Sequence, residues 1–555
     1  MAKAEDPIVS AAAGALQGTW KNKGEIAVFR GVPFAAPPVG DLRWRPPAPV
    51  ESWSGERKAQ KDGPTAIQRN TAFELFMNAL VEGQGWNRLR AAAVKTLLSK
   101  APRPKQSEDC LYLTVRTPSL DAAAKLPVMV WIHGGDHQDG SGTDVYYASN
   151  ALAELGVVTV SINYRLGLMG YFAHPEMAEE SEHGFAGNYG TLDQIAALEW
   201  VRDNISGFGG DPDNVTIFGE SAGGESVMHM MTSPLARGLF HRAIAQSPAN
   251  SGQMIHLQSA FLDYPSAEEN SLAFARALGV TGADQLHRLR QMTADELYSL
   301  VRVAPTLADH FPTIDGHVLP ESPLAAFAAR RQADVPFVIG TNADEGTLLQ
   351  PALGAPMVEY RHRPLPEGQL QPEIADAFGD DMAALLDLYP GLESADEKAG
   401  IEFMGDHMFG ARAYWYAKHH AEAGHLTRLY HFSRVPPSDD QTAGAFHAAE
   451  LPFVHGSKVP VFPLTDEDEV LAADMRQYWT NFARTADPNN TSGQEAELVG
   501  WPQFDPADPK WLRLDHTIVA ESVDRVDRYE IFNRRTARLV AAMAAIGEPT
   551  AATGG

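Results

Sequence analysis

The sequence predicts an α/β protein whose central sheet is mostly parallel and covered by helices on both faces. Short β-branched or apolar runs recur along the chain, each followed by a glycine-rich or polar turn, with helix-like segments between them. The runs are LPVMVWI (126–132), VVTVSINYR (157–165), VTIFGES (215–221), VPFVIGTN (335–342) and LYHFSR (429–434). Apolar strands that alternate with amphipathic helices are typical of a parallel sheet buried on both faces.

The clearest helical segment is TLDQIAALEWVRDNI (191–205). Its apolar positions recur at three- and four-residue spacing, as on one face of a helix; they are Leu192, Ile195, Leu198, Val201 and Ile205. A second segment with helical periodicity, residues 70–105, lies outside the strand–helix alternation. We interpret it as a helical insertion, which either forms a cap over the functional site or packs on the outside of the sheet.

Length and composition indicate one large globular unit. The chain has 555 residues, of which 44% are hydrophobic and 21% charged, and it contains no fixed-period repeat or low-complexity linker. Such a composition can bury a large core, and large α/β enzymes exceed the usual domain length as one unit. We therefore predict a single domain over residues 1–555.

Charge and cysteine content exclude several classes of function. The net charge of −26 argues against binding to nucleic acid or to anionic membrane surfaces, both of which need basic patches. No apolar run approaches the roughly 20 residues that cross a bilayer. Cys110 is the one cysteine, so an intramolecular disulfide and a cysteine-based zinc site are excluded. The start lacks the apolar core of a signal peptide, so we expect a cytoplasmic protein, or a periplasmic or secreted one if a leader was removed.

The motif GESAG (219–223) lies between the predicted strand VTIF and a predicted helix that begins at Ala222. A Gly-x-Ser-x-Gly motif between a strand and a helix is typical of a nucleophile elbow, which projects the serine hydroxyl above the sheet. At the start of a helix, the Ala222 N–H and the helix dipole would stabilise developing negative charge. The motif therefore predicts Ser221 as a catalytic nucleophile.

A serine nucleophile needs a general base and a carboxylate that orients the base, in the chain order Ser, Asp/Glu, His on this kind of scaffold. Asp344 and Glu345 follow the strand VPFVIG, and His447 and His455 follow LYHFSR. The order is satisfied, but the spacing alone does not choose within either pair.

Several longer stretches resemble a known family. They are FRGVPFAAPPVGDLRWRPP (29–47), SEDCLYLTVRTP (107–118), the HGG turn (133–135), GNYGTLDQIAALEWVRDNISGFGGDPDNVTIFGESAGG (187–224), AIAQSP (243–248), TNADEG (341–346), HAAELPFVHG (447–456), NFARTADPN (481–489) and WPQFDP (501–506). In this order and over most of the chain, they resemble the type-B carboxylesterase family, which includes the cholinesterases.

The resemblance implies an α/β-hydrolase fold and a serine-dependent hydrolase of carboxylic esters that forms an acyl-enzyme. It implies Glu345 as the acid and His447 as the base, with His455 structural, and Ser247 as a serine that supports their hydrogen bonds. It also implies that Arg43 and Glu108 form a structural ion pair. We expect a small-molecule ester as substrate and no cofactor. An amidase or lactonase with the same triad is the alternative within the enzymes, and a non-catalytic interaction protein is the alternative outside them.

Two departures from the family pattern stand out. Relatives commonly staple a loop by a disulfide to the cysteine of SEDCL, but Ala66 stands where the partner of Cys110 would be. In the stretch WIHGGDHQDGSG (131–142), the family usually has three glycines, and the N–H groups of the second and third bind the oxyanion. Here these positions are Gly135 and Asp136. The resemblance thus implies an oxyanion hole of Gly135, Asp136 and Ala222, with an atypical carboxylate.

The Asp136 carboxylate needs an explanation. A full charge about 4 Å from the oxyanion would cost around 4 kcal/mol at an effective dielectric constant near 20. That energy corresponds to roughly a thousandfold in rate. Three arrangements avoid the cost: the side chain turns away and pairs with a neighbour such as His137 or Arg165, it contacts the substrate, or it activates the deacylating water. The sequence leaves all three open.

A metal site is the alternative interpretation of the stretch 131–142. His133, Asp136, His137 and Asp139 are ligand types for zinc or manganese. Because the oxyanion turn explains the stretch and no second ligand cluster is evident, we expect no metal. For the substrate pocket, the resemblance implies His310 and Phe311 of DHFPTIDG (309–316), and we also predict Gly134 and His137. Phe73, Phe76 and Trp86 of the insertion line the entrance or belong to the core.

Overall fold

The fold is that of a computed structural model of the chain. The described residues are 5–69, 71–100, 104–248, 255–262, 264–302, 304, 307, 309–353, 370–394, 396–435, 441–459, 464–490 and 498–546. Residues 70 and 101–103 of the predicted insertion lie outside them, as does the side chain of Phe73.

The strands are β1 (Ile8–Ala11), β2 (Gly14–Gln17), β3 (Thr19–Lys21), β4 (Ile26–Pro33), β5 (Glu56–Lys58), β6 (Tyr112–Thr117), β7 (Leu126–Ile132), β8 (Val158–Ile162), β9 (Gly210–Glu220), β10 (Arg242–Gln246), β11 (Ile255–His256), β12 (Thr313–Ile314), β13 (Phe337–Asn342), β14 (Thr427–Phe432), β15 (Lys510–Leu514) and β16 (Val519–Ser522).

The helices are α1 (Thr71–Gly83), α2 (Arg88–Ser99), α3 (Ala151–Glu154), α4 (Gly167–Tyr171), α5 (Pro175–Glu180), α6 (Tyr189–Asn204), α7 (Ala222–Thr232), α8 (Ala267–Ala277), α9 (Gln285–Gln291), α10 (Ala294–Tyr298), α11 (Pro323–Ala328), α12 (Gly346–Leu353), α13 (Leu370–Phe378), α14 (Met382–Leu388), α15 (Glu397–Gly405), α16 (Ala411–Glu422), α17 (Leu451–His455), α18 (Asp466–Thr485) and α19 (Val526–Ile546). A π-helical turn, Asp406–Gly410, joins α15 to α16.

A mixed sheet organises the molecule. Within the described residues it has 11 strands in the order β16-β15-β14-β13-β10-β9-β7-β8-β6-β4-β3. The strands from β8 through β7, β9, β10, β13 and β14 to β15 run parallel, and the pairs at both edges are antiparallel. This arrangement confirms the predicted α/β-hydrolase architecture with a mostly parallel centre.

The core lies on both faces of this sheet. Along β7, Val128, Val130 and Ile132 join one buried cluster with residues of α6 and α7. Met129 and Trp131 point the other way and join a second cluster with residues of α17 and α18. The alternation follows from the two-residue period of a strand, and it explains why β7 is apolar throughout.

The parallel strands bring their carboxyl ends to one edge, where ligands bind in open α/β sheets. β7 ends before the HGG turn, β9 ends at Glu220, and β13 ends shortly before Glu345. The loop after β14 carries His447. The topology thus gathers the segments with the predicted site residues at one edge.

The insertion forms two helices, α1 and α2. Residues of both helices pack in the second cluster with Ala443, Ala445 and Phe446, next to His447. The Phe76 and Phe446 rings are 6.5 Å apart, and the Thr442 N–H donates to the Gly83 carbonyl at 2.8 Å. The insertion therefore contacts the loop that carries the predicted general base.

None of the helices among the described residues combines the length and the apolar character needed to cross a membrane.

Candidate active site

Ser221 lies at the junction between β9 and α7. Its backbone has φ 57° and ψ −126°, a conformation that costs free energy for a non-glycine residue. The surroundings hold it there, since the Ser221 N–H donates to the Gln246 carbonyl at 3.0 Å and its carbonyl accepts from the Glu225 N–H at 2.8 Å. Ser221 is partly exposed, whereas Glu220 and Ala222 are buried. The sequence GESAG thus forms the strained strand–turn–helix geometry expected of a nucleophile elbow.

Of the two acidic residues after β13, Glu345 contacts His447. Its Oε2 is hydrogen-bonded to His447 Nδ1 at 2.6 Å, while Oε1 accepts from Ser247 Oγ at 2.5 Å and from the Asn342 N–H at 2.7 Å. Glu345 is 2% exposed and His447 5%. Asp344 instead accepts from the Ala445 N–H at 2.7 Å. The carboxylate that can orient the imidazole is therefore that of Glu345, and Ser247 supports it.

The other nitrogen of His447 faces the end of β9. Nε2 lies 3.1 Å from Glu220 Oε1, a contact without hydrogen-bond geometry, and the Phe409 ring packs 4.6 Å from the imidazole. Burial opposes the charged imidazolium, but the Glu220 and Glu345 carboxylates outweigh it and raise the pKa of His447 to about 9. Burial raises the pKa of Glu220 to about 8, although His447 counteracts it. Glu220 directly precedes Ser221 and was not among the site residues predicted from the sequence.

His455 has a different environment. Its ring packs against Trp131 at 4.4 Å, Tyr147 at 5.4 Å and Phe218 at 5.6 Å. Burial lowers its pKa to about 3, so that it stays neutral. His455 is thus a core residue behind the sheet, and His447 is the histidine at the carboxyl edge.

The turn after β7 approaches Ser221 closely. A Cβ at Gly134 would stand 2.6 Å from the Glu220 carbonyl and 3.1 Å from Ser221 Cβ. A Cβ at Gly135, where φ is 104°, would stand 2.1 Å from the Asp139 carbonyl. Side chains are excluded at both positions, which explains the two glycines. The turn therefore brings its backbone against Ser221, as a backbone oxyanion hole requires.

Asp136 and His137 continue this turn in the left-handed region, with φ 57° and 54°. Aspartate tolerates this conformation better than most residues. Arg165, one predicted partner of Asp136, forms a bidentate ion pair with Asp193, with two N–O distances of 2.7 Å. Burial foremost, and then the Glu225 and Asp136 carboxylates, raise the pKa of Tyr164. The Tyr164 ring stacks on His133, the residue before the two glycines of the turn.

The predicted pocket residues lie around the same turn. Gln138, which follows His137 in the turn, donates from Nε2 to the His310 carbonyl at 2.7 Å. The His310 ring packs against Phe172 and Phe274. Burial lowers the pKa of His310 to about 3. Phe311 follows in a partly buried position. His310 thus meets the turn through its backbone and the core through its ring.

Two structural features that the resemblance implied are present. Arg43 and Glu108 form a bidentate ion pair with two distances of 2.6 Å, and Cys110 is buried and free. The loop that contains Ala66 is therefore not linked to Cys110 by a disulfide, as the alanine at position 66 predicts.

The structure also brings His137 together with two residues that were not predicted from the sequence. His137 lies beside Glu225 and His229, which are four residues apart in α7. A four-residue spacing places two side chains on one helix face, which was a readable signal. Only the fold, however, shows that this face meets the oxyanion turn.

Comparison with known proteins found relatives over most of the chain. A sequence model described as "Carboxylesterase family" matches residues 5–531. The curated relatives include a fumonisin B1 esterase of Sphingopyxis macrogoltabida, 34% identical over 91% of this chain and 86% of that protein. They also include a para-nitrobenzyl esterase of Bacillus subtilis, 34% identical over 93% and 96%, and a liver carboxylesterase of Sus scrofa, 35% identical over 90% and 88%.

Solved structures are similar over nearly the whole chain. A PNB esterase superposes with a TM-score of 0.75 at 32% identity, covering 95% of this chain and 100% of the other. A carboxylesterase of Geobacillus stearothermophilus gives a TM-score of 0.75 at 29% identity, covering 95% and 99%.

Proposed function

The chain belongs to the carboxylesterase family and is a carboxylic ester hydrolase, and we propose that it acts through an acyl-enzyme formed on Ser221. The supporting observation is the set of contacts on His447. Glu345 holds Nδ1 at 2.6 Å, and Nε2 faces the end of β9, next to the residue that precedes Ser221. A base oriented by a carboxylate, at the same sheet edge as a strained serine, fits the arrangement that nucleophilic catalysis needs.

Acylation begins when Ser221 Oγ attacks the ester carbonyl while His447 Nε2 takes the hydroxyl proton. The carbonyl oxygen becomes an oxyanion, to which the N–H groups of Gly135, Asp136 and Ala222 donate. His447 then passes its proton to the alkoxide oxygen as the C–O bond breaks, and the alcohol leaves. The acyl group remains on Ser221.

Deacylation uses the same groups in reverse order. His447 removes a proton from water, the hydroxide oxygen attacks the acyl carbon, and the oxyanion occupies the same N–H groups. Collapse releases the carboxylic acid and returns the proton through His447 to Ser221. Glu345 keeps its charge throughout and stabilises the imidazolium, while Ser247 keeps the Glu345 carboxylate in place.

For Asp136, we propose that only the backbone N–H acts on the oxyanion. A carboxylate about 4 Å from the oxyanion would destabilise it by around 4 kcal/mol at an effective dielectric constant near 20. A penalty of that size is incompatible with efficient turnover.

The test is the Ser221→Ala variant, assayed with a chromogenic ester and with a serine-reactive fluorophosphonate. We expect turnover to fall by at least about 10³-fold, because the covalent step is removed and only binding and the oxyanion donors remain. The matched control is Ser226→Ala. Ser226 is a buried serine of α7, the helix that follows Ser221, and its hydroxyl donates to the Ala222 carbonyl at 2.9 Å.

Peptide mass spectrometry should place the phosphonate on Ser221 in the wild type and in the control. A label on another residue, or substantial turnover by folded Ser221→Ala, would contradict the proposal.

A further inference from the structure

Three buried side chains with metal-ligand chemistry meet behind the turn that follows β7. His137 belongs to that turn and is 2% exposed, while Glu225 and His229 belong to α7 and are 8% and 0% exposed. One ligand atom of each residue lies within 4.8 Å of those of the other two. The proposed mechanism gives none of these three side chains a role in the reaction.

The separations do not fit direct hydrogen bonds. Nε2 of His137 lies 3.6 Å from Glu225 Oε2, and Nε2 of His229 lies 3.6 Å from Glu225 Oε1. N–H···O hydrogen bonds span about 2.7–3.2 Å. Among the described residues, neither Nε2 has a hydrogen-bond partner. Two buried imidazole nitrogens therefore point at one carboxylate without being satisfied by it.

The same separations fit a shared ion. Zinc binds histidine nitrogen and carboxylate oxygen at about 2.0–2.2 Å, so two ligand atoms of one tetrahedral ion are about 3.3–3.5 Å apart. The nitrogen–oxygen distances of 3.6 Å are close to that length. The two imidazole planes are inclined by 23° with their centroids 5.8 Å apart, so the rings lie roughly parallel beside one another.

The surroundings also orient one of the two imidazoles. His137 presents its other nitrogen, Nδ1, to the Tyr171 hydroxyl at 3.4 Å. A polar group behind a coordinating histidine is the usual way in which its ring is oriented.

We propose that His137, Glu225 and His229 bind one divalent zinc-type ion. Two imidazoles and one carboxylate are a ligand set typical of zinc, whereas calcium and magnesium prefer sites made of oxygen atoms. The divalent ion and the Glu225 carboxylate together have one net positive charge. This charge lies next to the turn that contains the Asp136 carboxylate. It ties this turn to α7, the helix that begins directly after Ser221.

The sequence expectation of no metal considered His133, Asp136, His137 and Asp139 only. His137 is the one member of that set in the cluster. Its partners lie about 90 residues further along the chain, which is why no second ligand group was evident.

The experiment measures metal binding by the full-length protein and is independent of ester hydrolysis. Protein stripped with a chelator is titrated with Zn²⁺ and, separately, with Co²⁺, whose visible spectrum reports four-coordinate nitrogen and oxygen ligation. We expect one tightly bound ion per chain, and an affinity at least about tenfold lower in His229→Gln and in Glu225→Gln. The control is His431→Gln, because His431 is an equally buried histidine that stacks on Trp511 outside the cluster.

Crystals of the wild type soaked in Zn²⁺ supply a readout that does not depend on variants, since anomalous scattering locates the ion. A peak between His137, Glu225 and His229 supports the proposal. A stripped wild type that binds neither ion, variants that bind like the wild type, or a peak only elsewhere would each overturn it. Because none of these readouts involves substrate, they leave the esterase proposal to its own test.

Discussion

Replacing Glu220 by glutamine tests whether a second carboxylate sets the protonation of the general base. Glu220 Oε1 lies 3.1 Å from His447 Nε2, and the pKa of His447 is raised to about 9. His447 must be neutral to accept the Ser221 proton, so we expect kcat/KM to rise with pH up to about this value. Removing the carboxylate destabilises the imidazolium, and therefore the rising limb should move to lower pH.

The magnitude follows from the geometry. A full charge at 3.1 Å contributes about 5 kcal/mol at an effective dielectric constant near 20, equivalent to about 4 pKa units. The pKa of Glu220 is itself about 8, so its charge is largely absent below that pH. Glu345 also remains in the variant. We therefore expect a smaller shift of the limb, by about 1–2 pH units, with activity near neutral pH rising accordingly.

The assay is kcat/KM for one neutral ester, measured between about pH 5 and 10 in buffers of constant ionic strength. The control is Glu450→Gln. The Glu450 carboxylate is equally buried but accepts from Gln246 Nε2 at 3.0 Å and Asn342 Nδ2 at 2.7 Å, and it is the weakest of the contributions to the pKa of His447. The rising limb of the pH profile should move less in Glu450→Gln than in Glu220→Gln. A Glu220→Gln limb that stays in place or moves to higher pH, in a protein with an unchanged fold, would refute the reasoning.

Two further predictions concern the turn and the scaffold. Asp136→Gly should keep kcat within about tenfold and leave pre-steady-state deacylation as fast as before, because the N–H remains and glycine adopts φ 57° without strain; slower deacylation would show that the carboxylate activates water. Arg43→Ala should lower the free energy of unfolding by about 3–5 kcal/mol, because it leaves the Glu108 carboxylate without its bidentate partner. In denaturant titrations, the exposed pair Arg202–Asp203 is the control, and Arg202→Ala should cost under about 1 kcal/mol; equal losses in both variants would contradict the assignment.

Local features were predictable from the sequence. The run LPVMVWI matches β7 over Leu126–Ile132, and the helix predicted from Ala222 forms α7. The elbow itself is local, because a strand, a tight turn and a helix N-terminus follow one another directly. Propensity and period act over a few residues, so a single stretch of sequence carries them.

Strand limits depended on partners elsewhere in the chain. β9 was predicted over 215–221 but runs over Gly210–Glu220, because Gly210 pairs with Leu126 of β7. It ends one residue early, since Ser221 leaves the strand at φ 57°. β8 was predicted over 157–165 but ends at Ile162, where the Asn163 N–H turns to the Tyr112 carbonyl.

The candidate site divides in the same way. The GESAG motif predicted Ser221, and the chain order supplied two candidate acids and two candidate histidines. The choice of Glu345 over Asp344, and of His447 over His455, came from the family resemblance. The structure shows separate environments: Glu345 contacts the edge histidine, and the other histidine is stacked in the core.

What the sequence determined by itself was the α/β class, the elbow and the chemistry of the residues available. Only the tertiary structure decided which side chains meet: Glu220 beside the base, and His137 beside Glu225 and His229. The reason is physical. Periodicity and turn chemistry act between neighbours in the chain, whereas contact distances and burial, on which pKa values and ion binding depend, are set by packing between segments that are far apart in sequence.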